Sequence, residues 1–302
     1  MSATPKTIQI FLPGGDPRGI RVAEITTRIV QVIEVPRSLL QDFLKTSESE
    51  QVAVYFLFGE SDDSGQQKVY IGQTGDLQAR LAAHNKQKDF WERALVLISR
   101  TNSLTQTHAL FLEWHCLQAA RKAGRYADEN SNGGSKPHTP APLQADCLEI
   151  FETGQALLST LGYPLFDPVV RITPKVASVN LAASSDAPNN LPDIGEPIFF
   201  CETLGGKAQG VYTPEGFVVL AGSMGRLVGA PHFATHYAEG IRAKLLESGV
   251  TRAEGKSIIF TRDHLFRSPS LASSVVLGRA SSGWKEWKTA EGLSLDAVKR
   301  QS

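Results

Sequence analysis

Long apolar runs are missing from this chain, and so is most of the sulfur. No stretch approaches the roughly 20 apolar residues that a bilayer-spanning helix needs, and the opening MSATPKTIQIF carries no apolar signal core. The three cysteines, Cys116, Cys147 and Cys201, stand far apart, with no paired spacing of the kind that frames zinc or a set of disulfides. These absences exclude membrane-spanning helices and a disulfide-stapled scaffold. They set the expectation of a reduced, cytoplasmic protein with no membrane partner. Net charge is missing as well: 31 Lys and Arg balance 31 Asp and Glu. That balance neither supports nor forbids phosphate binding, which depends on local field. Locally the chain is uneven. Residues 66–126 hold nine basic against four acidic side chains, residues 127–199 three against nine, and residues 200–302 thirteen against nine. An acidic connector thus separates two basic blocks.

What is present is enough apolar material for a sizeable core, at 41% hydrophobic, and a length that suggests two domains. Apolar runs at 7–11 and 20–35 flank the turn-rich Leu12-Pro-Gly-Gly-Asp-Pro-Arg-Gly, which lacks the Lys-Ser/Thr of a phosphate-binding loop; residues 1–50 read as a small β-rich extension. Residues 37–45 read as a short helix. Residues 51–58 form a strand apolar on both faces, with 68–72 its hairpin partner across a polar loop. A helix at 76–86, a strand at 94–99 and a helix at 107–123 stopped by Gly124 complete a β-β-α-β-α order. One more helix is expected at 146–161. Residues 173–197, rich in Pro, Ser, Asn and Ala, read as a linker between a domain at 51–172 and another at 198–302. In the last hundred residues a hairpin turns at Pro214 and Gly216, a helix at 233–248 ends at Gly249, 257–261 is a strand, and Ser268-Pro269 starts a helix through Leu277.

Between residues 54 and 130 one ordered set of residue types stands out: Tyr55, Tyr70, Gly72, Arg80, His84, Glu113 and Asn130. On a helical wheel Glu113 falls at the centre of an arc of Ala109, Leu110, Cys116, Leu117 and Ala120. A carboxylate there is costly unless a cation or donor meets it, so it marks either a functional site or an internal salt bridge. Arg80 and His84, four apart, share one side of a helix. Tyr55 and Tyr70 fall on the two strands of the hairpin, and Gly72 allows close backbone approach. This order, with Ala53-Val-Tyr and Val69-Tyr-Ile-Gly, resembles the GIY-YIG nuclease family, with Ala53 in place of the first family Gly and a longer hairpin loop.

The resemblance implies an α+β nuclease-like domain followed by a small α+β accessory domain, and metal-dependent hydrolysis of a DNA phosphodiester; the sequence does not exclude RNA. It implies that Glu113 binds one divalent metal, Mg2+ or Mn2+, and that Arg80 holds the phosphate. It also implies that Tyr55 or Tyr70 positions the attacking water, that His84 assists phosphate contact or proton transfer, and that Asn130 braces the wall of the site. Residues 217–223, 266–270 and 278–288 resemble a domain of unknown function often found behind GIY-YIG domains. Two other readings stand beside the enzyme: a catalytically inactive nucleic-acid-binding module, and an adaptor in a larger DNA-processing complex with a protein partner on the C-terminal domain. Elsewhere, His232 and His236 have metal-ligand spacing with Glu239 beyond but no third His, so a satisfied pair is the expectation. Trp284 and Trp287, interleaved with Arg279, Lys285 and Lys288, combine bases' stacking partners with phosphate-tracking charges, or else belong to a core.

Overall fold

The computed structural model describes residues 5–60, 67–130, 134–169, 197–203, 206–233 and 235–300. Two compact units divide the chain, Met1–Pro168 and Val169–Ser302. Both are mixed α+β. Residues 170–196, and with them nearly all of the expected linker, lie outside the described residues, as does most of the polar hairpin loop. Among the described residues no helix is long and apolar enough to cross a membrane.

The first unit runs β1 (Ile8–Phe11), β2 (Arg21–Ile25), β3 (Val30–Pro36), α1 (Leu40–Phe43), β4 (Ala53–Glu60), β5 (Gln67–Thr74), α2 (Leu77–Gln87), β6 (Trp91–Ser99), α3 (Gln106–Ala123), β7 (Ala127–Asp128) and α4 (Ala141–Thr160). Its seven strands form one sheet in the order β1-β2-β3-β6-β4-β5-β7, antiparallel except for the β5–β7 pair. The double-sided apolar pattern of β4 is explained by helices on both faces. Val54, Phe56 and Phe58 enter a core with Ala109, Leu112 and Cys116 of α3 and Leu157 of α4. Ala53, Tyr55 and Leu57 enter the opposite core with Leu40 and Phe43 of α1 and Leu77 and Leu81 of α2.

The first 50 residues are no separate extension. β3 pairs with β6 from Val30↔Ser99 to Pro36↔Arg93, so they supply three strands of the same sheet. A pairing across some sixty residues leaves no mark in local periodicity. The buried Glu34 of β3 ties this half down, accepting from Arg21, from Arg93 at 3.4 Å and from the Tyr163 hydroxyl at 3.2 Å. α4 starts at Ala141, five residues earlier than expected, because Pro142 suits a first helical turn. α3 ends as expected at Gly124, whose φ of 64° completes the C-cap.

The second unit runs β8 (Ile198–Thr203), β9 (Gly206–Thr213), β10 (Gly216–Val219), β11 (Met224–Arg226), α5 (Tyr237–Glu247), β12 (Thr251–Glu254), β13 (Ser257–Phe260), β14 (His264–Phe266), α6 (Pro269–Leu277), α7 (Gly283–Glu286) and α8 (Leu295–Lys299). Two sheets, β14-β10-β9-β8 and β11-β13-β12, share a core of Phe199, Phe217, Phe260, Val275 and Trp287. The Ser268 side chain caps α6 by accepting from Leu271 N. α5 begins only at Tyr237, after a 3-10 turn at Pro231–Phe233, because the His236 side chain caps it by accepting from Ala238 N.

Candidate active site

The site is built on the β4–β5 hairpin. Its register sets Tyr55 opposite Gly72 and Leu57 opposite Tyr70, so both tyrosines project from one face. Asp76 caps α2 by accepting from Ala79 N at 3.0 Å, which starts the helix just after β5 and lays it over that face. One helical turn apart, Arg80 and His84 then converge on one hydroxyl. Arg80 Nε donates to Tyr55 Oη at 3.0 Å, and His84 Nε2 lies 2.9 Å from the same oxygen. Tyr70 adds a smaller influence to that of Tyr55 in raising the Arg80 pKa. The Tyr70 ring is 4.9 Å from the His84 ring, and Lys88 Nζ sits 4.4 Å from the Tyr70 ring centre.

The electrostatics separate the two tyrosines. Tyr55 is fully buried, and burial, the largest influence, raises its pKa against the pull of Arg80. Tyr70 is half-buried. Only 4% of His84 is exposed; burial, then Arg80 and Lys88, lowers its pKa to about 4, so the ring is neutral near pH 7. Its Nδ1 is buried with no hydrogen-bond partner.

Glu113 approaches from the other face of the sheet, on α3. Its half-buried carboxylate lies near the backbone N–H of Gln73 and within the field of Arg80, both of which favour its charge. Burial outweighs both and raises its pKa. Asn130 lies along the same strand. Its Oδ1 accepts from Ile71 N at 3.0 Å and its Nδ2 donates to Ile71 O at 2.7 Å, continuing the outer edge of β5 past the short β7 pairing. Tyr55, Tyr70, Arg80 and His84 therefore touch one another, Glu113 is linked to them through Arg80, and Asn130 touches only the strand that carries them.

The buried arc of α3 differs from the expected one at Leu110. Leu110 is 40% exposed, while Phe111 and Leu112 are buried, because α4 packs beside α3 and shifts the covered arc. Glu113 still sits among Ala109, Cys116, Leu117 and Ala120 on the buried side. The sequence reading missed Lys88, one turn beyond His84, which helical spacing could have found. It also missed Gln73, whose part is played by the backbone and leaves no signal. Among the described residues no three His, Cys, Asp or Glu converge into a metal-binding group.

The weaker constellations resolve structurally. His236 is the helix cap already described, and Glu239 pairs with the buried Arg242 at 2.7 Å. Trp287 is wholly buried, its Nε1 donating to Pro269 O at 3.0 Å, so it has no face for a base. Trp284 packs edge-on to Tyr212 and has the Arg300 guanidinium 3.5 Å from its ring centre.

Residues 199–299 match the family model described as Domain of unknown function (DUF4357), in agreement with the resemblance of the C-terminal hundred residues. No curated protein and no solved structure matches the chain.

Proposed function

We propose that the first unit is a GIY-YIG-type endonuclease domain that hydrolyses DNA phosphodiester bonds with a divalent metal, Mg2+ or Mn2+. The observation that carries this reading is the convergence of Arg80, His84 and Tyr70 on Tyr55, with Glu113 in the field of Arg80 across the edge of β5. The β-β-α-β-α succession of β4, β5, α2, β6 and α3 supports it as well. Glu113 fits a metal held by a single carboxylate. Its raised pKa means that one backbone N–H and a nearby guanidinium do not offset the burial of its charge, and a cation is the partner it lacks. A hard ion on one carboxylate fills its remaining positions with water and phosphate oxygens, and supplies Lewis acidity at the scissile phosphate.

Arg80 offers fixed donors to the phosphate and to charge developing in the transition state. Tyr70 is the tyrosine to orient the attacking water, because it is half-buried and Tyr55 is sealed with its oxygen already engaged by Arg80 and His84. Tyr55 and His84 then act as the support that aims Arg80. Asn130 braces β5.

One observation favours a second reading, a binding module without catalysis: Tyr55 is sealed. Incubating the full chain with duplex, branched and single-stranded DNA and with RNA, with and without Mg2+ or Mn2+, separates the two. Metal-dependent cleavage supports the enzyme. Salt-sensitive binding with no cleavage of any substrate supports the module, and protein partners captured after nuclease treatment would support the adaptor.

A further inference from the structure

The second unit holds a cavity of about 310 Å³ lined by Glu202, Thr203, Arg226, Leu277 and Arg279. It lies where the ends of β8, β11 and α6 meet. Arg226, the last residue of β11, makes no side-chain hydrogen bond or ion pair with any described residue. Arg279 follows Gly278, the left-handed cap of α6, and is ion-paired with Glu286 at 2.7 Å. Two guanidinium groups thus line one cavity; Glu202 is the carboxylate on its lining, and Glu286 is the carboxylate paired with Arg279.

A third arginine positions both. Arg242, 3% exposed, donates to the carbonyls of Arg226 and Leu227, the latter at 2.9 Å. Its guanidinium also packs so closely on Gly278 that an added Cβ would lie 3.0 Å from Nη1, and Ala230 N donates to Gly278 O at 2.8 Å. Burying a cation whose Nε finds no partner is costly. What it secures is the backbone of Arg226 on one wall and the residue before Arg279 on the other.

Guanidinium forks match phosphate oxygens, often two at a time. The volume is more than a phosphate group alone fills and stands at the small end of ligand pockets, roughly 300–1,000 Å³. Leu277 offers an apolar wall and Glu202 an acceptor for a hydroxyl or amine. We propose that this cavity binds one nucleotide unit, its phosphate held by Arg226 and Arg279 and its sugar against Leu277. The unit can come from a nucleic-acid strand or from a free nucleotide. The inference goes beyond the nuclease reading, and its test requires no cleavage.

The test uses the full chain in EDTA, with anisotropy of a labelled oligothymidylate and calorimetric titration of thymidine 5′-monophosphate and of inorganic phosphate. Arg226→Ala and Arg279→Ala should each weaken binding about tenfold, and the double variant, which loses one phosphate contact, should lower the salt slope for the single strand by about 0.7. Glu202→Gln should tighten binding by removing the opposing charge. Strand affinity that falls in the double variant, with weak binding of the mononucleotide to the parent, identifies a strand as the source; tight mononucleotide binding that falls in the double variant, with strand affinity unchanged, identifies a free nucleotide. Unchanged affinity for all three probes in the folded double variant overturns the proposal. Should the alanine variants not fold, Glu202→Gln and Arg226→Lys decide: unchanged affinity in the first, with no loss in the second, overturns it equally.

Discussion

Gly72→Ala places a methyl group where the Tyr55 ring already is. An ideal Cβ at position 72 would lie 2.4 Å from Tyr55 Oη and 2.5 Å from its Cζ, whereas carbon atoms pack at roughly 3.5–4.0 Å. The ring has nowhere to go. It is fully buried, and Arg80 and His84 both hold its hydroxyl. The strand backbone at Gly72 has no positive φ, so alanine itself fits and returns about 0.4–1 kcal/mol of chain entropy. Overpacking costs about 1–3 kcal/mol, so the clash wins. At about 2–4 °C per kcal/mol for a unit of this size, the net cost of about 0.6–2 kcal/mol should lower the melting transition of the first unit by about 1–8 °C. Tyr55→Phe leaves Cζ in place and should give no relief. Tyr55→Ala empties the space, so adding Gly72→Ala to it should cost nothing. Calorimetric melting of the four members of that cycle should give a coupling of about 1–3 kcal/mol. An equal cost of Gly72→Ala in both backgrounds, or no cost in either, would refute the packing account of this glycine.

His84 should make the first unit sensitive to acid. Its folded pKa of about 4 lies below the ordinary 6.5, so the folded state binds this proton more weakly than the unfolded chain. Stability from this group is complete above about pH 6.5 and is lost as pH falls toward 4, by roughly 3 kcal/mol; a His84→Gln chain with the same acid-unfolding curve as the parent would contradict this. Glu34→Ala leaves Arg21, Arg93 and Tyr163 without their shared acceptor. Because both arginines are partly exposed, urea titration should give the lower end of the roughly 3–5 kcal/mol seen for broken buried pairs, and a loss under about 1 kcal/mol would show that solvent already serves them. Trp287→Ala should cost the second unit about 3–5 kcal/mol as a buried core ring; Trp284→Ala should cost far less, and the reverse order in calorimetry would mean that the two roles are exchanged.

The parts of the site that rest on local spacing were legible in the sequence. A hairpin fixes which residues share a face, and a helix fixes that Arg80 and His84 lie a turn apart; these two facts suffice to bring both to Tyr55. Glu113 could be placed on the buried side of α3 because helical phase survives an error in the width of the covered arc, which is why the exposure of Leu110 did not displace it. Gln73 was invisible because its contribution is a backbone N–H, and the partners of Asn130 for the same reason. The union of β3 with β6 was hidden because strand pairing across sixty residues depends on the whole sheet and on the helices that cover it. The neighbouring charges left Trp287 open to two readings, a reader of bases or a core ring, and the core one holds: Arg279, Lys285 and Lys288 flank a ring that is wholly buried and hydrogen-bonds the start of α6.

The most direct test of the account compares the full chain with Glu113→Gln, each incubated with single-stranded, duplex and branched DNA in Mg2+, in Mn2+ and in EDTA. The substitution removes one charge at nearly constant volume and leaves an oxygen for Gln73 N–H. Because burial raises the pKa of Glu113, the variant should melt no lower than the parent in EDTA. Added metal should stabilise the parent and not the variant. The account predicts cleavage by the parent only with metal, and a loss of at least about a hundredfold in the variant. Cleavage by Glu113→Gln at the parent rate would contradict it, as would a folded parent that cuts no substrate with either metal.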